Sequence, residues 1–165
     1  MKPTSKTQID QLGDRIRKGQ ASDEDVRLLE EYRLSFAEAY DDVVASVRRT
    51  IQLDPTGRPA KLTKSIIAKL RREKIRLSQM QDIAGCRLVV RDAVTQTQVV
   101  QRLRGELAGA RVIDRRKQSS HGYRAVHIIA TARNKPVEIQ VRTELQHLWA
   151  QLSEKMADAR DPMIK

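Results

Sequence analysis

The segment Val137-Glu-Ile-Gln-Val-Arg142 alternates apolar and polar residues with a period of two. A strand with that pattern turns Val137, Ile139 and Val141 toward a core and sets Glu138, Gln140 and Arg142 on the opposite face. Tyr123 and His127 lie four apart in the preceding apolar segment and share a face for the same reason. An acid, an amide, a guanidinium, an imidazole and a phenol then meet on one side of a hairpin. A second acid, Asp82, stands before another apolar run in Gln81-Asp-Ile-Ala-Gly-Cys-Arg87. Acids at strand ends suit Mg²⁺, a hard ion that takes oxygen ligands and also holds substrate phosphates. Together these groups describe phosphoryl-group transfer. Cations cradle phosphates, one carboxylate holds the metal, and a second orients or deprotonates the attacking hydroxyl. The same residues also fit a hydrated sheet face and a turn-capping aspartate, and spacing alone does not choose.

Positioning those groups requires particular elements. Residues 5–19 predict a short helix ending at Gly19. Ser22 with Asp25 forms a capping box that opens one long helix. Its apolar stripe is Leu29, Tyr32, Phe36, Tyr40, Val43, Val47 and Ile51, running to Asp54-Pro55. A second amphipathic helix spans about 62–73, with Ile66, Ile67 and Leu70 on one side and Lys64, Lys69, Arg71 and Arg72 on the other. Strands are predicted at Cys86–Arg91, Arg111–Arg115, Tyr123–Thr131 and Pro136–Arg142, with a helix over 94–108 carrying Val99, Val100, Leu103 and Leu107. Arg133-Asn134-Lys135 joins the last two strands as an antiparallel hairpin. Thr143 with Gln146 caps a final helix whose stripe is Leu145, Trp149, Leu152 and Met156. The expected fold class is α/β, a mixed sheet of about four or five strands flanked by helices. Residues 1–54 read as a helical scaffold and 55–165 as the catalytic core of one compact domain.

Composition narrows the partners. The chain has 165 residues, one cysteine and three histidines, so an internal disulfide and a Cys/His zinc cluster are out of reach. No apolar run approaches the roughly 20 residues that span a bilayer, and MKPTSKTQID has no signal-peptide core. The expectation is a cytoplasmic protein with no membrane partner. Net charge is +11, unevenly spread: residues 1–57 hold 9 basic and 11 acidic side chains, and residues 58–165 hold 23 and 10. Arg58–Arg76 alone carries eight basic residues and one acid, Glu73. Such a field favours polyanions, although charge runs are often simply solvated faces. Aromatic content of 3% excludes a stacking platform for many bases and leaves room for one or two nucleotides.

Four segments in register carry a resemblance. Lys61-x-x-x-Ser65-Ile66, Asp82-Ile-Ala-Gly-Cys-Arg87, His121-Gly-Tyr-Arg-Ala-Val-His127 and Glu138-Ile-Gln-Val-Arg-Thr143 resemble the synthetase domain of the RelA/SpoT alarmone synthetases, over about residues 55–160. The resemblance implies a nucleotidyltransferase-like fold. It also implies transfer of the β,γ-pyrophosphate of ATP to the ribose 3′-hydroxyl of GDP or GTP, with Mg²⁺. It makes Asp82 the metal ligand and Glu138 the carboxylate that activates the acceptor hydroxyl and helps hold the metal. Arg87 becomes an adenine-stacking arginine, with Arg58 as the second half of the sandwich. Lys61 and Ser65 contact ATP phosphates, with Lys64, Lys69 and Arg72 as auxiliaries. Tyr123 stacks on the acceptor base, with His127, Gln140, Arg142 and His147 around the acceptor nucleotide. Two positions depart from the family. Pro59 stands two before Lys61, where an arginine is usual, and Ser119 stands four before Tyr123, where a lysine is frequent. Arg115, Arg116 or Lys117 would have to supply that charge.

No His-Asp dipeptide is present, so the expectation is a small, synthetase-only member without the hydrolase half, and the short tail after Arg160 leads to the expectation that it is not a tetramer. Other members of the family pyrophosphorylate the tRNA 3′-CCA end or an adenine nucleotide, and the basic half of the chain suits tRNA equally well. Self-association and an antitoxin partner stay open. A basic nucleic-acid-binding module that kept only the fold is the non-enzymatic alternative. The presence of both Asp82 and Glu138 argues against it.

Overall fold

A computed structural model describes residues 5–117 and 122–160, the last four by backbone alone. The motif residue His121 and the departure at Ser119 therefore lie outside the described residues. The elements are α1 (Lys6–Arg17), α2 (Asp23–Leu34), α3 (Ala37–Ile51), β1 (Thr56–Arg58), α4 (Thr63–Arg72), β2 (Ala84–Val90), α5 (Ala93–Glu106), β3 (Arg111–Asp114), β4 (Val126–Ala132), β5 (Lys135–Thr143) and α6 (Glu144–Arg160), with a 3₁₀ turn at Leu77–Gln79.

Five strands form one mixed sheet in the order β1-β2-β5-β4-β3. β2 and β5 run parallel and every other pair is antiparallel. Such a parallel pair needs a crossover, and α5 contributes to it. The alternation of β5 decides which face is which. Val137, Ile139 and Val141 are fully buried on one side, together with Ala84, Cys86, Leu88 and Val90 of β2 and Val126, Ile128 and Ala130 of β4. α3 and α5 pack over that side. The other side keeps the polar residues and holds the site. Arg133 and Asn134 both have positive φ, the two-residue turn that matches the twist of an antiparallel hairpin. Arg133 also bonds Asp42 at 2.7 Å and Glu38, tying the hairpin tip to α3.

Three expectations change. The long helix is two, broken at Ser35–Phe36. The Ser35 hydroxyl donates to the Tyr32 carbonyl at 2.5 Å and the Phe36 N–H donates to Arg33, three residues back. That local bonding tightens the turn and ends the helical ladder. The apolar stripe survives the break, with Leu29, Phe36, Val43, Val47 and Ile51 buried. β1 is a strand that Thr56-Gly-Arg58 does not announce. β4 begins at Val126, so Tyr123 precedes the ladder rather than opening it. The α6 stripe forms as expected and faces outward: Leu145, Trp149, Leu152 and Met156 are all exposed.

Candidate active site

Strand register brings the polar groups together. His127 pairs with Gln140 across β4 and β5, Arg87 with Gln140 and Gly85 with Glu138 across β2 and β5, and Arg58 with Gly85 across β1 and β2. Directly paired residues share a face, so Arg58, Arg87, Glu138, Gln140 and His127 form one row across four strands.

Three of these, Glu138, Gln140 and His127, close a ring of hydrogen bonds with Tyr123 and Arg142. The Tyr123 Oη lies 3.1 Å from His127 Nε2, and His127 Nδ1 lies 2.6 Å from Glu138 Oε1. Gln140 Nε2 donates to Glu138 Oε2 at 2.7 Å. Arg142 Nη2 donates to Gln140 Oε1 and to Tyr123 Oη, each at 2.9 Å. One assignment satisfies every member: a neutral His127 donates from Nδ1 to the carboxylate and accepts from the Tyr123 hydroxyl at Nε2. Arg142 also lies over the Tyr123 ring, 5.0 Å from its centroid. Burial pushes the Glu138 carboxyl up, but the His127 and Gln140 hydrogen bonds outweigh it and hold the group below its usual range. Glu138 is thus an ionised acceptor with a basic partner behind it.

Asp82 sits beside this ring in the loop before β2. Lys61 Nζ meets one of its oxygens at 2.8 Å and Lys69 Nζ meets the other at 2.8 Å. Burial raises the Asp82 carboxyl, yet the two ammonium hydrogen bonds prevail and keep it below the usual range. The Cys86 thiol is pushed up to about 12 by burial and by Glu138, so it stays an unreactive thiol.

Two hollows flank this centre. One, of about 570 Å³, is lined by Arg58, Lys61, Arg87, Arg142 and Glu154. The other, of about 560 Å³, is lined by Lys69, Arg115, Tyr123 and His127. Asp82, Glu138 and Gln140 line both. Gly57 and Gly85 form part of the first floor. A Cβ on Gly57 would stand 2.6 Å from Cys86 Cα, so only glycine lets β1 approach β2 this closely. Three buried donors or acceptors on the β2–β5 and α6 side have no partner among the described residues: Arg87 Nε, Arg142 Nε and His147 Nδ1. Such orphans are rare unless a ligand supplies the missing partner.

Other expected residues are placed differently from the expectation: Arg142 lines the first hollow and not the second, and His147 lines neither. Lys64 and Arg72 are exposed on α4, and Arg72 pairs with Glu73 at 3.1 Å. Ser65 sits half-buried in the first turn of α4 and lines neither hollow. Lys69 grips Asp82 and lines the second hollow rather than the first. Of the three basic candidates after β3, Arg115 lines the second hollow, Arg116 is bound to Asp114 and Thr97, and Lys117 is exposed away from it. Sequence reasoning missed Glu154, one turn and a half after Trp149. The signal was present, because on a helical wheel Glu154 lies opposite the α6 stripe and beside His147.

Mg²⁺ is commonly held by one or two carboxylates plus substrate phosphates. Asp82 and Glu138 supply that set, and each carboxylate oxygen retains a lone pair beyond its present partner. The residues fit the ion.

Comparison with known proteins agrees with this architecture. The family described as "Region found in RelA / SpoT proteins" matches residues 57–158. Uncharacterised proteins of Mycobacterium tuberculosis (strain H37Rv) and Mycobacterium bovis are 39% identical over 130 residues, covering 74% of this chain and 46% of theirs. The chain thus spans about half the length of the curated relatives it matches. Among solved structures, small alarmone synthetase 1 from Bacillus subtilis bound to its product pppGpp superposes with a TM-score of 0.66 at 22% identity, over 81% of each chain. Small alarmone synthetase 2 from the same organism gives 0.57 at 25% identity, over 79% and 80%. The Type VI effector Tas1, in complex with its immunity protein, gives 0.53 at 21% identity, over 68% and 60%.

Proposed function

The chain belongs to the RelA/SpoT family, and on that premise we propose that it moves the β,γ-pyrophosphate of ATP onto the ribose 3′-hydroxyl of GDP or GTP. Family and neighbours support a nucleotide pyrophosphokinase. The solved relative with AMPCPP and the one with pppGpp support ATP and guanine nucleotides as its substrates. The observation that carries the reading is the shared wall: Asp82, Glu138 and Gln140 face both hollows, so a group held in one reaches a nucleophile held in the other.

In this reading ATP occupies the first hollow. Arg58 and Arg87 take the adenine face, and Lys61 takes the phosphates. The acceptor occupies the second hollow with its base against Tyr123 and its charge near Arg115. The acceptor 3′-oxygen forms a bond to the β-phosphorus while the bond from that phosphorus to the α-phosphate oxygen breaks, and AMP leaves. The hydroxyl proton passes to Glu138, whose hydrogen bonds to His127 and Gln140 hold it in line. Mg²⁺ held between Asp82 and Glu138 would neutralise charge building on the phosphates.

A second reading, with the tRNA 3′ end as acceptor, is favoured by one observation: Lys64, Arg71 and Arg72 are exposed on α4 and line neither hollow. ATP labelled at the γ-phosphate, offered with GDP, GTP, ATP and deacylated tRNA in separate reactions with Mg²⁺, tests both. Label in a new guanine nucleotide supports the proposal. Label in tRNA, with activity that falls steeply as salt rises, replaces it with the second reading. No transfer to any acceptor overturns both.

A further inference from the structure

Arg142 of β5 is a buried cation without an acid. It is 3% exposed, and a buried guanidinium is costly unless an anion pairs with it. The carboxylates beside it are taken. Lys61 and Lys69 hold Asp82, while His127 and Gln140 hold Glu138. Glu154 lines the same hollow, and the ion pairs of the site join other residues, none of them Arg142 among the described residues. The nitrogens of Arg142 are used unequally. Nη2 donates to Tyr123 Oη and Gln140 Oε1, each at 2.9 Å, whereas Nε is buried with no partner among the described residues. Arg142 lines the first hollow and not the second, and Tyr123 lines the second and not the first. Burial, and after it the Arg142 charge, pull the neighbouring Arg87 guanidinium down, as an unneutralised cation does.

We propose that Arg142 is a positioning residue that joins the two hollows: a phosphate oxygen in the first takes the Nε hydrogen, and the same guanidinium then holds the Tyr123 ring and hydroxyl that face the second. The naming of that oxygen as part of the ATP phosphate chain rests on the functional reading above; the anion site itself does not. Arginine suits the task because its plane is rigid, so an anion that pins Nε also fixes the direction of Nη2. The guanidinium already covers one face of Tyr123, 5.0 Å from the ring centroid. Pairing with an anion removes the cost of the buried charge, so the bound phosphate and the ordered tyrosine favour one another. From Tyr123 and Gln140 the hydrogen bonds run on to the two oxygens of Glu138 through His127 and directly. A lysine keeps the charge, but its ammonium is a point donor that does not hold an anion and a phenol in one plane.

The chain has three tyrosines, Tyr32, Tyr40 and Tyr123. Fluorotyrosine labelling of the full chain therefore gives three fluorine NMR signals, and Tyr123→Phe identifies the one that matters. The probe is inorganic tripolyphosphate, which carries the charge of a nucleotide tail and no base. The expected result is a saturable shift of the Tyr123 signal, with Tyr32 and Tyr40 unmoved. In Arg142→Lys tripolyphosphate still binds, followed by calorimetry, and the Tyr123 signal no longer responds. Lys61→Ala leaves Arg142 and the lining of the second hollow in place, so the same Tyr123 shift should need about tenfold more tripolyphosphate, the loss of one charged contact. A Tyr123 signal that stays still in the unaltered chain overturns the proposal. So does a shift that persists in Arg142→Lys, or a midpoint that Lys61→Ala leaves unchanged, since the anion would then act from outside the first hollow. These readings need neither turnover nor a nucleotide base, so labelled transfer can fail while they hold, and they can fail while transfer succeeds.

Discussion

The two hollows share a wall and differ in how they are prepared. In the first hollow the polar groups await a partner: Arg87 Nε and Arg142 Nε are buried with no hydrogen-bond partner among the described residues, and Arg58, Lys61 and Arg87 crowd positive charge together. Burial and the neighbouring Arg142 even pull the Arg87 guanidinium down. In the second hollow the groups are already satisfied, with Tyr123 and His127 held inside the closed hydrogen-bond ring. A highly charged polyphosphate supplies its own binding energy to an electropositive cleft, whereas a hydroxyl nucleophile must be aimed by groups fixed in advance. The contrast is between a surface waiting to be neutralised and one that is preorganised.

The shared wall gives the largest effects. Glu138→Gln is expected to lower turnover by at least about a thousandfold while ATP affinity stays within a few-fold, measured by initial rates and by calorimetry. Unchanged turnover would remove Glu138 from the mechanism. Because both carboxyls sit below their usual range, the acid limb of kcat/KM should lie below the ordinary carboxylate value. As pH falls through those lowered values the carboxylates protonate and activity is lost. A limb near the unperturbed histidine value of about 6.5 would move the base role to His127.

One step down, the two hollows should separate. Arg87→Ala removes a stacking cation from the first and is expected to raise the KM for ATP about tenfold with little change for the acceptor. Tyr123→Ala should do the reverse, raising the acceptor KM about tenfold. Tyr123→Phe keeps the ring face and removes the hydroxyl that Arg142 and His127 share, so it should lower kcat more than it raises KM. Equal losses for both substrates in either alanine variant would break the assignment of the hollows.

How much of this was written in the sequence depends on distance along the chain. The β5 alternation, the Arg133-Asn134 turn and the Thr143–Gln146 cap are local signals, and each appears where it was expected. The polar row follows from them once strands pair. The grip of Lys61 and Lys69 on Asp82 joins residues 21 and 13 apart across a loop, which no periodicity encodes. β1 is three residues long and carries no alternation, so it exists only because β2 offers an edge. The α6 stripe shows the opposite failure. A helical period finds an apolar face and says nothing of what covers it, and attention to that face passed over Glu154 on the other side.

The smallest effect comes from outside the sheet. Arg17 of α1 donates from Nε to the Leu70 carbonyl at 3.1 Å and from Nη2 to the Ile75 carbonyl. Asp10 accepts from the Ser78 N–H at 3.0 Å. A Cβ on Gly13 would come within 2.7 Å of Leu77 Cβ, so α1 lies hard against the same segment. Of the two hollows, Glu73 and Ile75 of that segment line the second and not the first. The N-terminal helix therefore braces one hollow and not the other. Each charged hydrogen bond to a carbonyl contributes about 1.5–3 kcal/mol at most, and the flanking contacts remain when one is lost. Arg17→Ala is thus expected to raise the acceptor KM about threefold with kcat and the KM for ATP unchanged, and Arg17→Lys should recover part of the loss. A matching rise for ATP would show that α1 supports the whole core, and the asymmetry between the two hollows would then end at the side chains that line them.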